Sequence, residues 1–207
     1  MNDLKLNINT HIMGRAGSGK TYFISKLAIE LTKKDSPFIY ISTFDDFGEL
    51  SPPTAKFTLD TEPVVKEILR HIASKESVSI YIPKGVIGPE AAREIMKELI
   101  QEIIGNYKVL ENYTLFLDEA QNIDNESLIK VLENSNTNNY SVYLSHQYLE
   151  QLSEELEKTI MNICKQYVYF RIAAVDLDKI ILQFQDDVDQ VTHIQNLKES
   201  EYAILTK

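Results

Sequence analysis

An eight-residue stretch near the start of the chain, residues 14–21 with the sequence GRAGSGKT, constrains the fold more than any other part of the sequence. It fits G-x-x-x-x-G-K-[ST], the phosphate-binding P-loop, whose glycines leave room for backbone N–H groups to point at phosphate oxygens. Apolar residues alternate with polar ones over residues 4–13 and recur at helical spacing after residue 21, which predicts a strand before the loop and a helix after it. The N-terminus of that helix adds a partial positive charge that favours phosphate.

The motif therefore predicts a site for ATP and Mg²⁺, with a glycine-rich turn that binds nothing as the competing interpretation. Lys20 is placed to reach the β- and γ-phosphates, and the Thr21 hydroxyl is placed to hold the metal ion. The residues predicted to bind the nucleotide are Gly14, Arg15, Ala16, Gly17, Ser18, Gly19, Lys20, Thr21 and Tyr22.

A second group of residues predicts the hydrolytic part of the same site. The mostly apolar residues 113–117 read as a buried strand that ends in Asp118 and Glu119, which is the Walker B pattern. Asp118 is predicted to hold the water shell of Mg²⁺, and Glu119 is predicted to orient and deprotonate the attacking water. Two adjacent carboxylates at the end of a buried strand are costly unless a cation offsets them. After a P-loop, the pair therefore indicates a nucleotide hydrolase.

Gln147 follows another apolar run, residues 141–145, at the carboxyl end of a predicted strand. Because ligands bind at the carboxyl ends of parallel strands, its amide can hydrogen-bond the γ-phosphate or the water and so sense hydrolysis. The competing interpretation is a residue that starts the next helix. The adjacent His146 is predicted to be packed or exposed rather than catalytic. Lys20, Glu119 and Gln147 are therefore the predicted catalytic residues.

The alternation of strand-like and helical segments predicts one α/β P-loop ATPase domain over residues 1–207. Its sheet is predicted to be mostly parallel and covered by helices on both faces. Short edge strands are predicted at residues 55–59 and 201–206, and loops at residues 84–89 and 133–139. One continuous helix is predicted at residues 149–163.

A formal net charge of −10 argues against a surface that coats itself in nucleic acid, but a narrow basic channel needs only a few cationic side chains. The weak candidates for such a channel, with a solvated face as the alternative, are Lys84, Arg93, Lys97 and Lys108. The single cysteine, Cys164, excludes an internal disulfide and is predicted to be a core residue. With no long apolar run and no signal peptide, the sequence predicts a cytoplasmic protein without a membrane span.

Two acidic stretches read more simply as solvated turns than as sites. Asp45 and Asp46 follow a predicted strand, where they could touch a nucleotide or a metal, but a solvated loop is the favoured interpretation. Asp186, Asp187 and Asp189 could suggest a cation site, but their spacing is not that of an EF-hand loop.

The motifs together resemble the HerA/FtsK superfamily of RecA-like DNA-pumping ATPases. Residues 115–121 (LFLDEAQ) are similar to its Walker B segment, and residues 144–152 (LSHQYLEQL) are similar to its sensor strand and the helix after it. Residues 167–179 are similar to its next strand and turn. The superfamily includes coupling proteins of type IV secretion and conjugation and the small packaging ATPases of membrane-containing viruses.

The resemblance implies a RecA-like core in which the sensor strand lies between the Walker A and Walker B strands. It also implies a homo-oligomeric ring, often a hexamer, with ATP at subunit interfaces and double-stranded DNA in a central channel. A viral capsid or a secretion machine would then be a partner, and a viral protein would act in the host cytoplasm or the virion. The chain is expected to be only the motor core, without the N-terminal barrel and membrane helices of larger relatives, and its size is nearest to that of the viral packaging ATPases.

The sequence departs from the superfamily where an arginine is expected ahead of the sensor glutamine to act on the neighbouring subunit's γ-phosphate. Residues 133–139 contain no basic residue. An arginine finger contributes roughly 10³–10⁵ in rate where it is present. We expect Arg171 or Arg93 to substitute for it, and the alternative for Arg171 is an ion pair with Asp176 or Asp178.

Two other functions remain open on the sequence. One is a different P-loop enzyme, such as a nucleotide or small-molecule kinase. Against it stand the Asp118 and Glu119 pair, Gln147, and the lack of a visible arginine-rich lid. The other is a nucleotide-dependent switch or interaction module that hydrolyses poorly, which the missing arginine and the acidic composition favour.

Overall fold

A computed structural model of the chain describes residues 4–43, 54–59, 65–184, 191, 193–194 and 196–207. Within these ranges, no helix is long and apolar enough to cross a membrane. The two acidic stretches discussed above as possible sites lie outside the described residues. Their acidic residues are Asp45, Asp46, Asp186, Asp187 and Asp189.

Eight strands of the described residues form one sheet. They are β1 (Thr10–Met13), β2 (Phe38–Ser42), β3 (Ala55–Thr58), β4 (Val78–Tyr81), β5 (Thr114–Leu117), β6 (Ser141–His146), β7 (Gln166–Tyr169) and β8 (Ala203–Thr206). Their order is β3-β4-β2-β5-β6-β1-β7-β8, and each pairing is parallel except that of β7 with β8. This order places β6 between β5 and β1, so the expected position of the sensor strand is confirmed.

Helices cover both faces of this sheet, which confirms the predicted RecA-like α/β fold. They are α1 (Lys20–Lys33), α2 (Val65–Ala73), α3 (Lys84–Ile87), α4 (Pro89–Gly105), α5 (Asn125–Asn138), α6 (Glu154–Ile163) and α7 (Ala174–Gln183). Successive residues of β2 alternate between two apolar clusters: Phe38 and Tyr40 lie with Phe23 of α1, whereas Ile39 and Ile41 lie with residues of α2 and α4–α7. Because β2 is buried on both faces, its sequence is a nearly continuous apolar run.

The Asn-rich stretch 133–139, predicted to be a loop, is helical up to residue 138. Its polar side chains bond to carbonyls of the preceding turn: the Asn134 Nδ2 donates to the Lys130 carbonyl (2.8 Å), and the Asn138 Nδ2 donates to the Asn134 carbonyl (2.9 Å). Such bonds replace water on the helix surface, and Ser135 on the opposite face is buried. The helix ends at Asn139, whose φ of +54° is the left-handed conformation that asparagine tolerates.

Three other expectations differ from the structure in their boundaries. The predicted strand at 4–13 is a strand only over Thr10–Met13. Residues 84–87 form the short helix α3, in which the Gly88 N–H donates to the Lys84 carbonyl (3.0 Å). The helix predicted at 149–163 is interrupted because Ser153 caps α6, its side chain accepting from the Leu156 N–H (3.2 Å).

Candidate active site

The loop at residues 14–19, between β1 and α1, is tied by its backbone to the strands on either side of β1. The Gly14 N–H donates to the His146 carbonyl at the end of β6 (3.3 Å), and the Arg15 N–H donates to the Arg171 carbonyl after β7 (3.0 Å). The sheet therefore fixes the position of this loop at its carboxyl edge, where parallel sheets bind their ligands.

Glycines give this loop its curvature and its close packing. Gly17 and Gly19 have φ values of +73° and +102°, which glycine adopts without strain. A Cβ on Gly14 would lie 2.6 Å from the Phe170 Cβ and 2.7 Å from the Ser18 Oγ, so no larger residue fits. The Ser18 Oγ is buried and has no hydrogen-bond partner among the described residues. An unpaired buried hydroxyl in a curved glycine-rich loop fits a ligand with acceptor oxygens, as a phosphate has.

Lys20, the first residue of α1, packs its ammonium against the inside of the loop and is only 4% exposed. Its Nζ donates to the carbonyls of Gly14 (2.8 Å) and Arg15 (3.2 Å). Burial lowers the pKa of Lys20, and the nearby charges of Glu119 and Asp118 act in the opposite direction. A cation held between the loop and two carboxylates is positioned to attract an anionic ligand.

Asp118, directly after β5, is oriented by contacts from two other elements. Its Oδ2 accepts from the Thr21 hydroxyl of α1 (2.8 Å) and from the Tyr40 hydroxyl of β2 (3.2 Å). Its Oδ1 accepts from the Glu119 N–H (3.1 Å). The two residues predicted to bind Mg²⁺, Thr21 and Asp118, therefore present neighbouring oxygens, which are the ligands that Mg²⁺ prefers.

Glu119 is held on both sides by amide side chains. Its Oε2 accepts from the Gln147 Nε2 at the end of β6 (2.8 Å) and from the Gln121 Nε2. Its backbone is left-handed, with φ 54° and ψ 46°. The second carboxylate oxygen, Oε1, has no hydrogen bond to another described residue, so it is the oxygen available to a further ligand. Gln147 therefore belongs to the site, and it does not start a helix.

A chain of hydrogen bonds connects the Glu119 backbone to β2 and α3. The Asn122 Nδ2 donates to the Glu119 carbonyl (3.1 Å) and to the Thr43 hydroxyl (3.2 Å). The Asn122 Oδ1 accepts from the Lys84 Nζ (2.6 Å). Lys84, considered above as a channel residue, is thus bonded to the loop that carries the glutamate.

His146, predicted to be packed or exposed, is fully buried. Its Nε2 lies 2.5 Å from the Nε2 of His11 in β1, and its Nδ1 lies 3.1 Å from the Tyr148 carbonyl. Burial lowers the pKa of His146 to about 4, with Lys20 acting in the same direction. Burial and His146 hold the pKa of His11 well below its usual value.

The Tyr148 carbonyl determines which nitrogens of His146 and His11 carry protons. His146 Nδ1 must donate to the Tyr148 carbonyl, so its Nε2 accepts and His11 Nε2 donates. His11 Nδ1 is then an acceptor, and it has no partner among the described residues.

The two arginines proposed as substitutes for the missing finger are both exposed. Arg171 follows β7, and its backbone contacts the P-loop at Arg15. Among the described residues, the salt bridges do not include one from Arg171 to Asp176 or Asp178. Arg93 lies on α4 and is likewise outside these salt bridges, so both guanidinium groups face solvent.

The structure brings all the predicted motifs to one edge of the sheet. Among the predicted nucleotide-binding residues, Arg15, Ala16, Gly17 and Tyr22 are exposed at the loop surface, whereas Ser18 is buried. Sequence reasoning missed the contacts of Tyr40, Gln121 and Asn122. For the latter two, closeness to Glu119 along the chain was a usable signal. For Tyr40 no signal existed, because its contact depends on β2 lying next to β5.

A family model described as AAA domain matches residues 9–168, whereas the curated proteins give no match. The fold is similar to that of the genome packaging NTPase B204 from Sulfolobus turreted icosahedral virus 2, solved with ATP-gammaS (15% identity, 98% of this chain and 93% of that chain, TM-score 0.69). It is also similar to VirB4 of Thermoanaerobacter pseudethanolicus (10% identity, 96% and 88%, TM-score 0.68). The chain therefore belongs to the AAA domain family and is a P-loop ATPase with a RecA-like fold.

Proposed function

We propose that the protein is an ATP-hydrolysing motor of the HerA/FtsK type that translocates or packages DNA. The observation that carries the proposal is the direct hydrogen bond between Gln147 and Glu119 (2.8 Å), which joins the sensor strand to the predicted catalytic base. A hydrolase that performs mechanical work needs such a connection, because the loss of the γ-phosphate must change contacts outside the phosphate site.

In this proposal the P-loop and Lys20 bind the phosphates of ATP, while Thr21 and Asp118 hold Mg²⁺. The fit rests on the unpaired Ser18 hydroxyl, the positive φ of Gly17 and Gly19, and the 2.8 Å separation of the Thr21 and Asp118 oxygens. When bound, Mg²⁺ neutralises charge that develops on the phosphate oxygens. Lys20 contributes a second positive charge.

Glu119 acts as the general base in the hydrolytic step. Because its Oε2 is taken by two amides, Oε1 receives the proton of the water whose oxygen attacks the γ-phosphorus. The bond to the leaving diphosphate breaks, and the electron pair stays with ADP. Gln121 and Gln147 hold Oε2, which leaves Oε1 to accept the proton. Gln147 then exchanges contacts when the γ-phosphate leaves and passes the change to β6.

DNA as the substrate and a ring as the working form are supported by the fold that the chain shares with the packaging NTPase and VirB4. We propose double-stranded DNA in a central channel of a homo-oligomeric ring, often a hexamer in this superfamily. Arg171 or Arg93, both exposed, would complete the site of the neighbouring subunit. We place the motor in the cytoplasm of its cell, or in host cytoplasm or virion, with a capsid or secretion machine as its partner.

A nucleotide-dependent switch with weak hydrolysis is the second candidate. It is favoured by the surface of α5, which carries no basic residue from position 133 to its end at Asn138. A switch of this kind would bind ATP tightly and turn over little.

The test is ATPase activity of the assembled protein with and without duplex DNA, measured across a salt series. A translocase shows stimulation that falls steeply between about 50 and 200 mM salt, because phosphate contacts release counterions. Glu119→Gln should retain ATP binding and abolish turnover, while the exposed Glu98→Gln serves as a control. Normal hydrolysis in Glu119→Gln would remove Glu119 from its role.

The same experiment separates the rival functions. Little turnover with or without DNA, together with tight ATP binding, would favour the switch, and phosphate transfer to an acceptor would favour a kinase. If Arg171→Ala and Arg93→Ala each leave ATPase activity unchanged, neither arginine is the substitute finger.

A further inference from the structure

A short turn after Gln147 is held in place by a side chain from another element. We call residues 147–151 the sensor turn. Its Leu149 N–H donates to the Oδ1 of Asp176, which lies in the first turn of α7 (3.2 Å). The two residues are 27 positions apart in the chain, so the bond joins two separate parts of the fold. The anchored N–H is two residues away from the glutamine whose amide contacts Glu119.

The carboxylate of Asp176 is buried with only half of its oxygens paired. The residue is 1% exposed, and its Oδ2 has no hydrogen-bond partner among the described residues. Burial raises the pKa of Asp176, and the Leu149 N–H acts in the opposite direction. A buried carboxylate with an unpaired oxygen lowers the stability of a fold, and such groups concentrate at functional sites, where position matters more than stability.

The helix that carries Asp176 does not account for the direction of its side chain. An acid in the first turn of a helix interacts favourably with the helix dipole, and it can do so from the surface. Among the described residues, however, the Asp176 carboxylate accepts from the Leu149 N–H and from no N–H of α7. The bond to the sensor turn is therefore the contact that explains why the carboxylate is buried.

The chain just before α7 also holds the phosphate-binding loop. The Arg171 carbonyl accepts from the Arg15 N–H (3.0 Å), and Asp176 follows at the start of α7. Residues 171–176 are therefore bonded to the phosphate-binding loop at one end and to the sensor turn at the other. A side chain on such a supported segment is held more precisely than one on a free loop. This segment sets the position of Gln147 relative to the phosphates.

We propose that Asp176 is a positioning residue for hydrolysis, which fixes the sensor turn so that the Gln147 amide stays on Glu119. The inference rests on the proposed ATPase, in which Glu119 is the base and Gln147 responds to loss of the γ-phosphate. Asp176 acts through the Leu149 N–H and not on the reacting atoms. Without this bond the sensor turn shifts, and a displacement of about 1 Å at a catalytic group can lower a rate about 100-fold.

Single-turnover and steady-state ATPase kinetics of the full chain test this role, with Asp176→Ala and Gln147→Ala made singly and together. Asp176→Ala should lower kcat at least about tenfold and leave KM within about twofold of the wild-type value. In the Gln147→Ala background the same change should lower kcat less than about twofold, because residues that act as a unit have non-additive effects. Asp176→Asn should restore most of the rate, because its amide oxygen can accept from the Leu149 N–H. The exposed Asp178→Ala, also on α7, is the control.

The side-chain amide of Gln147 gives a readout that does not depend on catalysis. Its NMR signal, assigned by its loss in Gln147→Ala, should move toward that of a free amide in Asp176→Ala and stay in place in Asp178→Ala. If the alanine variant does not fold, Asp176→Leu takes its place, because leucine has the same branching as aspartate but no acceptor.

Four results would overturn the positioning role. Asp176→Ala could leave kcat and the Gln147 signal unchanged, or it could lower kcat by the same factor with and without Gln147. It could lower the affinity for a non-hydrolysable ATP analogue as much as it lowers kcat, and Asp176→Asn could be as slow as Asp176→Ala. The proposed ATPase stands in all four cases. A wild type that hydrolyses no ATP would overturn the proposed function instead, and the Gln147 signal would then decide whether Asp176 positions that side chain.

Discussion

The buried histidine pair predicts that the protein loses stability in mild acid. A free imidazole has a pKa near 6.5, whereas burial lowers the pKa of His146 to about 4 and that of His11 in the same direction. As the pH falls, the unfolded chain therefore takes up protons before the folded one. The stability from the neutral pair is complete above about pH 6.5 and is lost progressively toward pH 4.

The magnitude follows from the shift. At 1.36 kcal/mol per pKa unit, the shift of His146 from 6.5 to about 4 corresponds to about 3 kcal/mol, of which about 2 kcal/mol is lost by pH 5. His11 adds to this loss, because a fourth proton on the pair would place two positive rings 4.8 Å apart. The domain is therefore expected to be markedly less stable at pH 5 than at pH 7.5.

Urea unfolding at pH 7.5 and pH 5.0 measures the effect, and a His11→Asn/His146→Asn variant provides the comparison. Both proteins contain the same carboxylates. The difference between the stability that the wild type loses and the stability that the variant loses on acidification therefore comes from His11 and His146. We expect the wild type to lose at least about 2 kcal/mol more than the variant. Equal losses would refute the reasoning, and so would an NMR titration of the folded wild type in which either ring is protonated above pH 6.

Two further substitutions test local geometry. Tyr40→Phe removes the hydroxyl that lies 3.2 Å from the Asp118 Oδ2 but keeps the buried ring, so we expect a stability loss of about 1 kcal/mol and weaker Mg²⁺-dependent ATP binding in calorimetry. Unchanged Mg²⁺ dependence would mean that Thr21 and the Glu119 N–H orient Asp118 without Tyr40. At Asn139, with φ +54°, Ala should lower stability by about 1 kcal/mol more than Gly does, because a Cβ is unfavourable in this conformation. Equal melting temperatures of the Ala and Gly variants would contradict this.

The phosphate-binding part of the site was predictable because its chemistry is local. A contiguous motif predicts the loop, and the position of Asp118 and Glu119 at the end of an apolar run predicts that they follow a buried strand. The proximity of Gln147 to Glu119 is different, because it requires β6 to lie beside β5. That order followed from the resemblance to a known family and not from hydrophobic periodicity, which gives strands but not their neighbours.

The unpredicted parts depend on tertiary contacts. Asparagine has poor intrinsic helix propensity, so residues 133–138 read as a loop, yet burial of Val131, Leu132 and Ser135 on one face extends α5 through them. The Lys84–Asn122 bond joins residues 38 positions apart, and nothing in either segment signals it. The packing of Tyr202 against Phe23 likewise needs the segment before β8 to return beside α1.

At Glu119 the left-handed backbone lowers the stability of the fold, whereas the carboxylate serves the proposed reaction. A side chain in this conformation costs about 1–2 kcal/mol that glycine would not incur, and asparagine would tolerate it better than glutamate does. Hydrogen bonds from Gln121, Gln147 and Asn122 hold the strained residue in place. A chain selected only for thermal stability would drift toward glycine or asparagine here. With Glu119 as the general base that we propose, retaining glutamate requires continuous selection for hydrolysis, and descendants released from that selection would become more stable as they became inactive.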